Sequence, residues 1–205
     1  MIDFKSDYHI HANYNDHSEK NLTIPNIIKT AERKNLENIA ITEHVRKTSD
    51  WIDKYINEIL TYSKKTNVKI TIGFEAKILS NGDIDCLDII KKYFIVASFH
   101  TKYNNKKVWL NALKSVICNP KVNVIGHLYP EQSFKIEDEE IRELGKLILD
   151  NNKIIEINAK YHAPPIKWLY IFKTEGIKFH LASDAHKLKD IGEFNNILDL
   201  IKTVE

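Results

Sequence analysis

Cysteine is nearly absent. Cys86 and Cys118 are the only two in 205 residues, they sit far apart, and they form no CxxC pair. They cannot build a disulfide framework, and a reduced, cytoplasmic setting is expected. No window approaches the ~18 apolar residues of a membrane span, which argues against a membrane partner. The opening MIDFKSDYHIH lacks the apolar core of a signal peptide. Charge of one sign is not in excess either. The 30 Lys+Arg and 28 Asp+Glu are interspersed, the net charge is +2 and the pI is ≈ 8.3. That leaves no basic stripe, so nucleic acid is a conceivable but not a favoured partner. Glycine is scarce, at 6 residues, which reads as coding bias rather than function. Linkers and internal repeats are absent, and 43% hydrophobic content suffices for one ordinary core, so residues 1–205 read as a single domain.

Against these absences stands an uneven supply of histidine, with nine residues. The chain alternates short β-branched or aromatic runs with longer amphipathic stretches. The runs predict strands over Ser6–Ile10, Asn38–Thr42, Val68–Glu75, Phe94–Ser98, Val122–Ile125, Lys153–Ile157 and Ile177–Ala182. The intervening patterns predict helices over Pro25–Lys34, Asp50–Lys64, Asp85–Lys92, Lys106–Cys118, Asp138–Asn151, Pro165–Thr174 and Ile191–Lys202. The acidic stretch Glu137–Glu140 suits a helix N-terminus. Such an alternation argues for a parallel sheet covered by helices.

Residues able to bind metal recur where the strands end: Asp7-Tyr8-His9-Ile10-His11 and then His17; Thr42-Glu43-His44; Gly73-Phe74-Glu75; Ser98-Phe99-His100; Gly126-His127; Glu156-Ile157-Asn158; and Ser183-Asp184-Ala185-His186. On a strand, residues i and i+2 face the same side, so His9 pairs with His11 and Asp184 with His186. In a parallel barrel all carboxyl ends of strands open on one face. An open sheet would hold its first and last strands apart, so the constellation favours a closed or nearly closed barrel. Seven imidazoles and two carboxylates exceed the three or four protein ligands of one ion. They suit two or three divalent cations, of which Zn, Mn and Fe fit a mixed N/O set without thiolate.

The ordered set DxHxH, a later His, a TDH-like triplet, GxE, SxH, GH, ExN and SDAH, running from Asp7 to His186, resembles the PHP (polymerase and histidinol phosphatase) superfamily. The resemblance implies a distorted seven-stranded (β/α)7 TIM-like barrel with a trinuclear metal site. By motif position, His9, His11, Glu75 and Asp184 correspond to ligands of one ion. Glu75, His100 and His127 correspond to ligands of a second, with Glu75 bridging, and His17, His44 and His186 to ligands of a third. Two departures stand out. The usual TDH is Thr42-Glu43-His44, with little expected effect on metal binding. The segment after ExN reads Ala159-Lys160-Tyr161-His162, where phosphatase members often carry an arginine.

The activity so implied is hydrolysis of a small phosphomonoester by a metal-activated hydroxide, histidinol-phosphatase-like in type. In this scheme Glu75 is essential, Asp7 orients a liganding imidazole by accepting its second N–H, and His186 or a metal-bound water contributes to leaving-group protonation. Lys102, Tyr103, Lys160, His162 and Lys187 follow strand ends and are candidates for holding substrate phosphate. For Asp7 the plainer reading is a turn cap. For His162 it is a surface side chain, and for Glu156 and Asn158 it is hydrogen-bonded filling of the barrel. His180 reads as a buried, hydrogen-bonded histidine, and Trp51, Trp109 and Trp168 as packing residues. Competing activities are a 3′–5′ exonuclease or phosphodiesterase, an amidohydrolase, and a regulatory barrel without chemistry. Oligomeric state is not encoded in these features.

Overall fold

A computed structural model describes residues 2–129 and 133–205. Seven parallel strands lie in the order β1 to β7: β1 Ser6–Ile10, β2 Asn38–Val45, β3 Lys69–Lys77, β4 Phe94–Ser98, β5 Val124–Ile125, β6 Ile154–Asn158 and β7 Lys178–Ala182. The α-helices are α1 Ile24–Arg33, α2 Ile52–Ser63, α3 Lys106–Cys118, α4 Asp138–Asp150, α5 Ile166–Thr174 and α6 Leu198–Val204. The strands read as apolar runs because a parallel sheet is covered on both faces. Each helix turns a stripe inward. On α1 the buried residues include Ile24, Ile27, Ile28 and Ala31, and Thr23 caps its start by accepting the Asn26 N–H at 3.4 Å. On α4 Glu137 and Glu140 form a reciprocal capping box, as the acidic stretch implied.

The sheet curls until its edges nearly meet. Ile10 bridges Ala185 in parallel, His11 N–H donates to the Ala185 carbonyl at 3.0 Å, and Ser183 Oγ lies 3.3 Å from the His9 carbonyl. Distortion enters at β5, which is only two residues long, and at an irregular register between Asp7 and Ile10. The result is the seven-stranded TIM-like barrel expected from the motif order.

Two helical expectations are corrected. Asp85–Lys92 contains only a 3-10 turn at Asp88–Lys92, because Asp85 N–H bonds the Lys77 carbonyl and Ile78 bridges Ile84, committing this backbone to a hairpin-like return. Ile191–Lys202 is interrupted by Gly192 at φ 67°, and regular helix starts only at Leu198. Both cysteines are free. Among the described residues no helix is long and apolar enough to cross a membrane.

His180 lies inside the barrel on β7. It is buried as expected, but its Nε2 has no hydrogen-bond partner, and its ring stacks on Tyr8 at 4.9 Å between centroids. Burial pushes its pKa down to about 4, against 6.5 ordinarily. The folded state therefore resists a proton that the unfolded chain accepts. Stability from this group is complete above pH 6.5 and is lost as pH falls towards 4, by up to about 3 kcal/mol. Urea unfolding at pH 7 and pH 4.5 should show His180→Phe losing about 2 kcal/mol less than the wild type over that span. An equal loss in both proteins would exclude this origin.

Candidate metal centre

β2 and β3 pair in register so that His44 stands beside Glu75. That register depends on Gly73, where a Cβ would come within 2.8 Å of the Thr42 side chain and 2.9 Å of the Phe94 carbonyl. Gly126 plays the same part before His127, since a Cβ there would meet Ser98 Oγ at 2.2 Å. The glycines of the GFE and GH motifs thus permit close packing behind Glu75 and His127.

Glu75 is buried at the middle of the site. Its Oε2 lies 2.7 Å from His44 Nδ1 and 3.1 Å from His100 Nε2, and its Oε1 lies 3.0 Å from His127 Nε2 and 3.6 Å from His9 Nε2. His11 Nε2 is 3.2 Å from Asp184 Oδ1 and 3.1 Å from His9 Nε2. Three groups have ligand atoms within 4.8 Å of one another: His9, His11 and Glu75; His44, Glu75 and His100; and His11, His44 and His186. His17 is exposed on the rim of the cleft, its ring 6.3 Å from His44, and belongs to none of these groups.

The route to convergence differs between the two ends of the chain. His9 and His11 follow strand alternation. Asp184 and His186 do not, because β7 ends at Ala182 and Asp184 adopts the left-handed φ of 52°. A turn brings His186 Nδ1 to 3.3 Å from Asp184 Oδ1 and 2.9 Å from the Asp184 carbonyl. His127 also has positive φ, at 21°. Such backbone concentrates where side chains must be aimed.

A second layer holds the imidazoles. Glu156 Oε2 lies 2.9 Å from His9 Nδ1, while its Oε1 accepts the His127 N–H at 2.6 Å and the Asn158 amide at 2.6 Å. Glu156 thus accepts the Nδ1 proton of His9 and leaves Nε2 as the ring atom that would bind a cation at the centre. Glu43 accepts the N–H groups of Ala12 at 3.0 Å, Tyr14 at 3.3 Å and His44 at 2.7 Å, and its Oε1 is 3.5 Å from His11 Nδ1. The TEH triplet therefore keeps its carboxylate behind His11 and His44. The orienting part expected of Asp7 falls to Glu156. Asp7 instead accepts backbone N–H groups from Ser183 at 3.0 Å, Gly192 at 2.8 Å and His9 at 3.4 Å, and so ties β1 to the segment after β7.

The electrostatics call for positive charge at the centre. Glu43, Glu75, Glu156 and Asp184 are all buried, with no arginine paired to them among the described residues. Burial raises the Glu75 carboxyl, but His100, His9 and His44 outweigh it and hold the group well below the usual carboxylate range. Burial likewise depresses His9, yet Glu156, Asp184 and Glu75 hold it well above its ordinary value. His186 is pushed down to about 3, chiefly by burial and then by His11. Glu75 Oε2, His11 Nδ1 and His127 Nδ1 lie buried without a hydrogen-bond partner. Two imidazole Nε2 atoms facing at 3.1 Å and a bare carboxylate oxygen ringed by imidazoles fit divalent cations far better than they fit one another.

The cluster floors a cleft of about 840 Å³. Of the expected phosphate contacts only Lys160 lines it, with Nζ 3.3 Å from Asp184 Oδ1 and 3.2 Å from His186 Nδ1. Lys187 lines an adjoining hollow of about 480 Å³. Lys102 is exposed and Tyr103 packs on Phe99, both off the cleft wall, and His162 pairs with Asp199 on α6 at 3.1 Å. Arg46 and Lys77, absent from the sequence-based set, do line the cleft, and neither side chain has an ion-pair or hydrogen-bond partner among the described residues. Tyr161 also lines it, its ring 4.5 Å from that of His127.

The family described as "PHP domain" matches residues 7–160. The chain belongs to the PHP family. A "probable phosphatase" of Caldicellulosiruptor bescii is 28% identical over 200 residues, covering 90% of this chain and 80% of the relative. Another, from Caldanaerobacter subterraneus subsp. tengcongensis, is 29% identical over 217 residues, covering 97% and 82%. A crystal structure from Listeria monocytogenes, described as a candidate histidinol phosphatase, superposes with a TM-score of 0.68 at 18% identity, covering 92% of this chain and 97% of the other. The PHP barrel is thus shared in fold, and the relatives carry the phosphatase class expected from the motifs.

Proposed function

We propose that this PHP barrel is a metal-dependent phosphatase that hydrolyses a small phosphomonoester at a centre built around Glu75. The observation that carries the reading is the encirclement of Glu75 by five imidazoles on the floor of a cleft that also holds Arg46, Lys77 and Lys160. His9, His11, Glu75 and Asp184 would hold one divalent cation; Glu75, His100 and His127 a second; and His44 and His186, with His17 swinging in from the rim, a third. Zn, Mn and Fe all suit this donor set. When bound, such ions supply an activated water and neutralise phosphoryl oxygens.

The rest is work for the chain itself. Arg46 and Lys77 stand at the ends of neighbouring strands and are free to take the non-bridging oxygens of the phosphate, Arg46 as a planar fork and Lys77 as a point charge. Lys160 lies on the β6 side, near Asp184. His186, held neutral, serves as a ligand rather than a proton donor. Tyr161, its phenol pKa pushed up to about 12 chiefly by burial, keeps its proton and can donate a hydrogen bond to the departing oxygen.

The test starts from metal analysis of purified protein. Phosphatase assays would follow on histidinol phosphate, sugar phosphates, mononucleotides and bis-p-nitrophenyl phosphate. Metal-dependent release of phosphate from monoesters is expected. Preference for the diester would favour the phosphodiesterase reading. Arg46→Ala combined with Lys77→Ala should lower kcat/KM about 100-fold through lost charge-assisted contacts, with bound metal unchanged. Wild-type kinetics in the double variant would remove both residues from substrate binding.

A further inference from the structure

Among the described residues Lys160 is the only lysine or arginine that pairs with a proposed metal ligand, and it meets two of them. Its Nζ lies 3.3 Å from Asp184 Oδ1, and 3.2 Å and 3.4 Å from the two ring nitrogens of His186. His186 Nδ1 is 2.9 Å from the Asp184 carbonyl and donates there. That leaves Nε2 as the ring's ligand atom, and the Lys160 ammonium stands against it. The turn that carries Lys160 is built to hold it. Asn158 and Ala163 exchange backbone hydrogen bonds at 2.8 and 3.3 Å, the Ala159 N–H donates to the Ala182 carbonyl at 2.8 Å, and Asn158 Oδ1 accepts the Tyr161 N–H at 2.9 Å. The ammonium also lies over the Tyr161 ring, 5.1 Å from its centroid. His17, by contrast, stays on the rim, with its backbone N–H held by Asn15 Oδ1 at 2.8 Å.

The buried charge points the same way. The buried carboxylates among the described residues are Asp7, Glu43, Glu75, Glu156 and Asp184, five in all. Ligating imidazoles are neutral, so two divalent cations and one ammonium balance these carboxylates. A third divalent cation beside Lys160 would leave a surplus of two positive charges. Like charges crowded into a buried site repel far more strongly than in water. Lys153, the one buried lysine, is spent on the Asn119 and Val122 carbonyls ahead of β6 and takes no part. A phosphate dianion would bring the two negative charges that a third cation needs. Lys160 also has space to turn, since Lys160, Asp184 and His186 line both the cleft and the adjoining hollow.

We propose that Lys160 holds the place of the third cation, so that the centre carries two divalent ions until a phosphate group draws Lys160 away from His186. This rests on the metal-dependent phosphatase reading and concerns the order in which its three places fill. Lys160 then has two successive partners, the His186–Asp184 pair before substrate and the phosphate after it, and completion of the centre is tied to the arrival of substrate.

Counting bound zinc on the full chain tests this without any hydrolysis. Each protein would be dialysed to equilibrium against Zn(II) and its metal measured by elemental analysis. The wild type is expected to hold two equivalents. Lys160→Met, which keeps an unbranched stem and drops the charge, is expected to hold three, the third bound about tenfold more tightly than in the wild type. The extra equivalent should vanish when His186→Ala is added to Lys160→Met, because His186 is the ligand that Lys160 covers. Methylphosphonate, a stable mimic of a phosphate group, should raise the wild-type count to three and leave that of Lys160→Met unchanged. Equal counts in the wild type and Lys160→Met, survival of the extra equivalent in the double variant, or no response of the wild type to methylphosphonate would overturn the role of Lys160 and leave the phosphatase reading standing. No bound zinc in any of these proteins would sink the metal-dependent reading itself.

Discussion

Glu75→Gln is expected to lower kcat by about 10³-fold or more while far-UV circular dichroism stays unchanged. The exchange preserves shape and volume, so the barrel has no packing reason to change. What it removes is the charge that the surrounding imidazoles face. Its Oε2 faces His44 and His100 and its Oε1 faces His127, at 2.7, 3.1 and 3.0 Å. A glutamine would present an NH2 group at one of those two positions, and an amide nitrogen neither bridges cations nor accepts from an imidazole. The consequences are two and should appear together: fewer metal equivalents per chain by elemental analysis, and loss of turnover that added metal does not restore. Full turnover with unchanged metal content would take Glu75 out of the chemistry.

How much of this site is readable in the chain depends on the distance over which each feature is determined. Strand positions are local. Runs such as Asn38-Ile-Ala-Ile-Thr are buried on both faces and stand out against polar loops. The pairing of His9 with His11 follows from strand geometry alone. Arg46 and Lys77 were missed because the predicted strands stop at Thr42 and Glu75, where the residues turn polar. β2 and β3 in fact continue to Val45 and Lys77. Strand ends at a barrel mouth are polar because they face the cleft. Carrying the i, i+2 rule onward from His44 and Glu75 would have reached both cations. Lys102, His162 and Lys187 were chosen by nearness to strand ends, and proximity along the chain does not determine which way a loop side chain turns. The helix expected from Ile191 failed for a local reason, the left-handed Gly192. The partners of Asp7 and Glu156 were unreadable for the opposite reason. Each meets atoms more than 140 residues away, which only closure of the barrel brings near.

That long-range closure makes Glu156 the sharpest test of the second layer. Glu156→Gln should weaken metal binding by about 10- to 100-fold and destabilise the protein by about 2 kcal/mol, although the residue touches none of the proposed ions. Every described hydrogen-bond partner of the Glu156 carboxylate is a donor: the His9 ring at Nδ1, the His127 backbone N–H and the Asn158 amide. A carboxylate is an acceptor at both oxygens and satisfies all three. An amide accepts at one end only, so whichever way glutamine is turned, its NH2 group must face a donor inside a closed barrel. If it faces His9, Nδ1 can no longer donate, the ring proton is driven to Nε2, and the atom that would bind a cation is blocked. If it faces His127 and Asn158, His127 loses the bond that fixes its backbone at positive φ, and Asn158 loses one of its three side-chain hydrogen bonds, beside Asp184. Either arrangement disorders a proposed ligand without removing one. Competition titration with a chromophoric chelator and thermal unfolding of the metal-free protein would separate the two effects. Unchanged metal affinity would show that the His9 tautomer is set by something other than Glu156.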